Sequence, residues 1–238
     1  MNSLYSLPCL DNGLACHKRP EDFFCALPKK SLEAFNRIKQ AALYPAHAVI
    51  FVEGQAARGI YVLCSGQAKI TITSQCGKTF ILRILKPGEI LGLNPIIAGG
   101  AYQETAETTQ PCVLSFVGRK DFLSFLENDG EACLHAAQHL SRCYLDACDV
   151  LRSIGSRSIS GRLAKFLLES SAEGQNAAGV VRTKLTLTHE EISQLLGTSR
   201  ETITRKLSEF KKMKLVELAG SNLIVCNRVA LERLVATE

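Results

Sequence analysis

A chain of 238 residues and 26.0 kDa is long enough for one large domain or two modest ones, each with its own core. Its 46% hydrophobic and 21% charged residues exclude a disordered or fibrous protein. No apolar run approaches the roughly 18 residues of a membrane span, and MNSLYSLPCLDNG lacks the basic head and apolar core of a secretory signal, so a soluble cytoplasmic protein with no membrane partner is expected. The net charge of +5 is unevenly spread. Residues 155–238 carry 13 Lys+Arg against 9 Asp+Glu, while the first 154 carry 15 against 14, as expected if the last third meets a polyanion. Ten cysteines in a reducing compartment must be core thiols, metal ligands or reactive sulfur.

Residues 1–25 contain Cys9, Cys16 and Cys25 without helical or strand period and read as an irregular arm. Ser31 to Ala42 is helical, with Leu32, Phe35 and Ile38 on one side. From Val49 to Val117 come short runs of β-branched and aromatic residues closed by glycine: FVEG, IYVLCSG, AKITITSQCGK, FILRILKPGEILG and CVLSFV. Gly54, Gly66, Gly77 and Gly88 recur at spacings of 12, 11 and 11, which predicts hairpins of even length in an antiparallel sandwich or β-roll. Helical texture resumes at Asp121. Within it Cys133, Ala137, Leu140, Tyr144, Ala147, Leu151 and Ile154 step by fours and threes, an a/d seam of three heptads. Such a stripe can pack on the protein's own core; the polar flanks Gln138, Arg142, Asp146 and Arg152 narrow it and favour a partner helix.

After Gly155 a second domain follows. SGRLAKFLLESS is an amphipathic helix, AEGQNAAG a polar loop and VVRTKLTLT a strand pair or hairpin. In LTHEEISQLLGTSRETITRKLSEFKKMKLV, Thr188 with Glu191 and Thr198 with Glu201 form two capping boxes ten residues apart, with Gly197 between them. This predicts two short helices at a tight turn, a helix-turn-helix whose second helix opens at Ser199. Arg200, Glu201, Thr204 and Arg205 lie in its first two turns, where arginine can donate two bonds to guanine and glutamate can accept from cytosine. Lys206, Lys211, Lys212 and Lys214 suit phosphate contact. LVELAGSNLIV reads as a hairpin wing turning at Ala219-Gly220-Ser221, with a terminal helix beginning near Val229. There is no Cys-x-x-Cys pair, phosphate loop or His/Asp set beside a nucleophile, so an enzyme is not expected.

GTSRETITR, LTHEEISQLLG, the glycine-spaced sheet and the connecting helix together resemble the cyclic-AMP receptor protein/fumarate–nitrate reductase regulator (Crp/Fnr) family, from about Phe24 to the C-terminus. The resemblance implies an α+β fold: an arm (1–25), an antiparallel, cyclic-nucleotide-binding-like β-roll (26–125), a dimerisation helix (126–155) and a winged helix-turn-helix (156–238). It implies a homodimeric transcription regulator on double-stranded DNA, with RNA polymerase as a further partner. The dimer would close through Leu140, Tyr144, Ala147, Leu151 and Ile154. Ser199, Arg200, Glu201, Thr204, Arg205, Lys206 and Lys211 would meet DNA, and the Arg-Glu-x-x-x-Arg face implies palindromic TGTGA-like half-sites.

The effector is less plain. The turn Pro87-Gly88-Glu89-Ile90-Leu91-Gly92 matches the cyclic-nucleotide members, but Leu93 replaces their acidic residue and Gln103-Glu104 falls where their Arg-Ser pair would hold phosphate. Cyclic AMP is therefore not expected, although Arg83 and Arg58 could supply charge from elsewhere. Glu107-Thr-Thr-Gln-Pro-Cys112 is similar to the oxygen-sensing branch, in which a central cysteine joins N-terminal ones around a [4Fe–4S] cluster. That resemblance implies Cys16, Cys25 and Cys112 as ligands, with Arg19 where the middle cysteine should be; Cys9, outside the usual spacing, would bring the thiolates to four, and His17 is a candidate nitrogen ligand. The alternatives are a thiol switch or another small effector. Cys64, Cys133, Cys143, Cys148 and Cys226 read as small core residues and Cys76 as an exposed turn residue.

Overall fold

The computed structural model describes residues 27–156, 158–171, 175–177 and 180–236, and the chain divides into two compact units, Met1–Leu145 and Asp146–Glu238. The first contains α1 (Lys29–Ile38), β1 (Gln40–Tyr44), β2 (Val49–Phe51), β3 (Gly59–Ser65), β4 (Ala68–Thr73), β5 (Thr79–Leu85), β6 (Ile90–Leu91), α2 (Leu93–Ala98), β7 (Thr105–Thr108), β8 (Cys112–Gly118) and α3 (Arg119–Asn128). A long helix, α4 (Gly130–Ser156), runs across the boundary between the units.

Two antiparallel four-stranded sheets form, ordered β1-β8-β3-β6 and β2-β7-β4-β5. The period-2 rule explains the nearly continuous apolar run of β3. Its Ile60 and Val62 join Phe35, Val117, Phe122, Phe125, Ala132 and Ala136 in a core between sheet and helices. Its Leu63 joins Phe51, Ile70, Leu85, Ala106 and Leu114 in a second core that draws on both sheets. The expected antiparallel β-roll is therefore present, and its topology differs from the hairpin expectation. Gly54, Gly66, Gly77 and Gly88 all have positive φ, but only Gly77 turns between paired neighbours, β4 and β5. Gly66 and Gly88 sit where the chain crosses from one sheet to the other, since β3 pairs with β8 and β6 rather than with β4.

Two further local differences are instructive. The helix expected to reach Ala42 ends at Ile38, because Gln40–Tyr44 pairs antiparallel with Phe116–Cys112, and strand pairing overrides the local helical preference. Inside the strand-rich stretch, α2 starts after Gly92, whose left-handed φ of 75° breaks the strand.

The second unit contains α5 (Ile159–Ser171), β9 (Gln175–Ala177), β10 (Val180–Lys184), α6 (His189–Leu196), α7 (Arg200–Lys212), β11 (Val216–Ala219), β12 (Asn222–Val225) and α8 (Arg228–Ala236). Its sheet is ordered β11-β12-β10-β9. The expected wing is the β11–β12 hairpin, which turns at Gly220-Ser221. The loop read from AEGQNAAG supplies β9, while Thr186 to Thr188, read as strand, lies beyond the end of β10 and leads into α6. Leu163, Leu167, Ile192, Leu196, Ile203, Leu207, Phe210 and Leu231 close the core.

Candidate nucleic-acid interface

The α6–α7 pair is built by its caps. Thr188 Oγ1 accepts from the Glu191 N–H at 3.2 Å while Glu191 Oε2 accepts from the Thr188 N–H at 3.0 Å, the full capping box expected from the sequence. Gly197 ends α6 at φ 64°, a left-handed position where glycine carries no Cβ penalty. The second cap differs from expectation. Ser199, not Thr198, is the N-cap: its Oγ accepts from the Thr202 N–H at 3.2 Å, and α7 begins at Arg200. The left-handed Gly197 leads the chain back, so that the Thr198 N–H bonds Ser193 O, and the next residue becomes the first extended one.

Ile203, Leu207 and Phe210 bury one stripe of α7. Ser199, Arg200, Glu201, Thr204, Arg205 and Lys211 are exposed away from it. Glu201 is held below the usual carboxylate range by hydrogen bonds from its own backbone N–H and the Ser199 hydroxyl, so it is ionised and can accept from a base amino group. Two of the expected contact residues have partners within the chain. Lys206 is half-buried and pairs with Glu209 Oε2 at 2.7 Å, because six residues after Arg200 it faces the flank rather than the exposed stripe. The Thr204 hydroxyl donates to Arg200 O at 3.0 Å and lies 3.0 Å from His189 Nδ1. His189 thereby ties α6 to α7 beside the exposed face, a role the sequence reading did not assign; its place just after the Thr188 cap was the available signal.

The inner side of the β-roll assembles a second cluster. From β5, Arg83 approaches Glu89 Oε1 at 3.7 Å, Ile90 O at 3.5 Å and Cys143 Sγ at 3.6 Å. Burial pushes the Glu104 carboxyl up, and the Arg83 charge partly opposes that shift. Leu93 is buried. On α4, His139 Nε2 lies 3.6 Å from Cys143 Sγ. Burial first, then the Arg83 and Arg142 charges, lower the His139 imidazole to about 4. The i,i+4 spacing of His139 and Cys143 is the only sequence signal of this pair.

Of the four expected cluster ligands, Cys9, Cys16 and Cys25 lie outside the described residues. Cys112 is 1% exposed and its sulfur engages Gln67 O at 3.2 Å and Gln110 O at 3.1 Å, while burial raises its thiol. Gly66 packs so closely that a Cβ there would lie 2.6 Å from this sulfur. A thiol so enclosed packs as a core residue does, and the arm that carries the other three expected ligands lies outside the described residues. Among the other cysteines Cys64 is in the core, Cys76 is exposed at its turn, Cys143 and Cys148 are half-buried, and Cys133 and Cys226 are exposed. The core expectation fails for the last two. Cys133 faces away from the β-roll on α4, and Cys226 follows the end of β12.

The α4 stripe does not pack on the core as one face. Ala132, Ala136 and His139 pack inward, a stripe one residue out of step with the expected seam, and Leu140 is half-buried against the same core. Tyr144 and Leu151 are 69% and 70% exposed, and Ala147 is exposed. Ile154 lies in α4, but its side chain is outside the described set.

A β-roll and a winged helix-turn-helix in one chain define a DNA-binding regulator. Comparison with known proteins gives the same answer. Residues 42–129 match the cyclic nucleotide-binding domain, and residues 161–234 match the Crp-like helix-turn-helix domain. The chain is 26% identical over 211 residues to the CRP-like cAMP-activated global transcriptional regulator of Mycobacterium tuberculosis, covering 88% of this chain and 94% of that protein. Its fold is similar to FixK2 of Bradyrhizobium japonicum (TM-score 0.73, 21% identity, 83% of this chain and 97% of that one). It is likewise similar to the c-di-GMP responsive global regulator CLP of Xanthomonas campestris (TM-score 0.74, 21% identity, 83% and 99%). The chain belongs to the Crp/Fnr family of DNA-binding transcription regulators.

Proposed function

We propose that the protein is a homodimeric, sequence-specific regulator that reads palindromic DNA with Arg200, Glu201 and Arg205, with RNA polymerase as its further partner. The observation that carries this reading is the exposed Arg200-Glu201-Arg205 face of α7, set opposite the buried Ile203, Leu207 and Phe210. Ser199 contributes mainly as the cap, Thr204 through its methyl group, and Lys211 to phosphate, while Lys206 is a lesser contact because of its pair with Glu209. Selection from random duplexes tests the code: TGTGA-like half-sites are expected, and TTGAT-like ones would overturn the assignment. Arg200→Ala should cost about 1–3 kcal/mol and relax one base position. Lys211→Ala should weaken all sequences alike and lower the salt slope.

For the dimer, the support is the exposed Tyr144, Ala147 and Leu151 on a helix of 27 residues. Leu140 divides its surface between this seam and its own core.

The effector proposal follows the chemistry of the β-roll. By the resemblance Glu104 falls where a phosphate diester would need a donor, and Arg83 is engaged with Glu89, the Ile90 carbonyl and Cys143. This supports an effector other than cyclic AMP. A [4Fe–4S] cluster on Cys9, Cys16, Cys25 and Cys112 would make the protein a sensor of oxygen or nitric oxide, but the enclosed Cys112 sulfur does not fit that role. A thiol-based or other small-effector sensor is the better supported reading. Anaerobic reconstitution with iron and sulfide separates the two: Cys112→Ser should leave iron uptake unchanged, and loss of iron with that variant would restore the cluster.

A further inference from the structure

Seven cysteines lie among the described residues, and their surroundings differ in kind. Cys64 and Cys112 are buried, with sulfurs directed at Ser115 Oγ and at main-chain carbonyls. Cys133 and Cys226 are exposed, and Cys76 sits at a hairpin tip beside Ser74. Cys143 is the one described cysteine in contact with both a guanidinium and an imidazole. Arg83 Nη1 lies 3.6 Å from its sulfur and His139 Nε2 lies 3.6 Å away on the preceding turn of α4. The arrangement spans two elements, strand β5 and helix α4, and is enclosed without being sealed: His139 is 8% exposed and Cys143 is half-buried.

This geometry has the parts that make a thiol reactive. A permanently charged guanidinium stabilises thiolate over thiol, and a ring nitrogen at the same sulfur can take its hydrogen bond. The imidazole is neutral at neutral pH, its value lowered by burial and by the charges of Arg83 and Arg142. Opposing charge is also present. Glu89 lies 3.7 Å from the same Arg83 nitrogen, and Glu104 faces the guanidinium. The cation is thus shared between a carboxylate and a sulfur, and a newly formed sulfur anion competes for it directly. The sulfurs of Cys64 and Cys112 are instead directed at the Ser115 hydroxyl and at main-chain carbonyls.

We propose that Cys143 is a peroxide-reactive modification site, a thiol activated by Arg83 and His139 that is oxidised to a sulfenic acid. The thiolate sulfur attacks one oxygen of hydrogen peroxide; the O–O bond breaks as the S–O bond forms, and the departing hydroxide takes up the thiol proton as water. Sulfur loses two electrons and the peroxide gains them. Ala132, Ala136 and His139 share the inward stripe with Cys143, and Tyr144 of the proposed dimer seam is the next residue. Any effect of oxidation on DNA binding rests on the dimeric reading above; the reactivity of Cys143 does not.

The test uses the full-length reduced protein, a limiting pulse of hydrogen peroxide, a dimedone-type sulfenic acid probe and peptide mapping. In the wild-type protein Cys143 should be labelled at least about tenfold faster than Cys133 and Cys226, although both of those are more exposed. Arg83→Gln should reduce Cys143 labelling to the level of Cys133, and His139→Gln should slow it. This reading is overturned if Cys133 and Cys226 are labelled as fast as Cys143 in the wild type, a comparison that needs no variant to fold. Labelling at the expected rate without dimers in sedimentation would keep the site and remove only its proposed route to DNA.

Discussion

Replacing Ser199 by alanine removes the acceptor that Thr202 N–H meets at 3.2 Å and leaves the first turn of α7 without its side-chain cap. The serine is exposed, so water recovers part of the loss, and the cost expected for such a cap is about 1 kcal/mol. Thr198, the residue that sequence pattern alone would make the cap, contributes its backbone N–H to Ser193 O instead, and alanine retains that bond. Thr198→Ala should therefore fall within about 0.5 kcal/mol of wild type. Thermal unfolding of the full chain followed by circular dichroism reads both. A loss of 1 kcal/mol should lower the melting of the second unit by roughly 4–8 °C, and the alanine at position 198 should lower it much less. Measuring without DNA keeps stability apart from base contact. If Thr198→Ala proves the costlier change, α7 starts one residue earlier and the face assigned to Arg200 and Arg205 rotates with it.

Three further outcomes follow from the structure. Tyr144→Asp or Leu151→Asp should give monomers with weak DNA binding and an unchanged fold, since both side chains are exposed in the single chain; a variant that still sediments as a dimer refutes the seam. Lys214 ends the α7 turn at a left-handed φ of 55°, with its N–H on Lys211 O, so Lys214→Gly should stabilise by roughly 0.5–1 kcal/mol in urea unfolding; a destabilised variant would place the residue elsewhere in φ. His139 is neutral in the fold down to about pH 4, whereas an unfolded histidine takes up its proton near 6.5. The unfolded chain then binds more protons between those values, so stability is full above about pH 6.5 and falls as pH drops toward 4, by about 3 kcal/mol at most. His139→Gln should flatten that part of the pH–stability curve, and an unchanged slope would refute the assignment.

Much of the fold was legible because local chemistry and tertiary demand agree. The Thr188–Glu191 box, the left-handed Gly197 and the apolar Ile192, Ile203 and Leu207 all favour the same two-helix turn. The β-roll was legible as strands and turns but not as pairings. Gly66 and Gly88 mark turns wherever the chain reverses, and nothing local distinguishes a return to the same sheet from a crossing to the other. The helix expected to reach Ala42 shows the limit directly, for Gln40–Tyr44 is a strand only because β8 stands ready to pair with it.

The site was legible in proportion to how locally it is made. Arg200, Glu201 and Arg205 share a helix, so spacing alone puts them on one face. Lys206 shows the complementary limit: its residue type suggests phosphate, and only the fold shows it beside Glu209. Cys112 looked like a ligand from its place in the chain, and only the fold shows the carbonyls of Gln67 and Gln110 around its sulfur. The Cys143 environment was the least accessible of all, since sixty positions separate it from Arg83. Its only local trace was His139 one turn before, a spacing that equally suits a core thiol. What distinguishes the two is the cation that β5 delivers, a contact made by tertiary packing rather than by sequence neighbourhood. A cysteine count therefore says little about thiol chemistry in this chain; it is the Arg83 cation brought by β5 that sets the surroundings of Cys143 apart from those of the exposed Cys133 and Cys226.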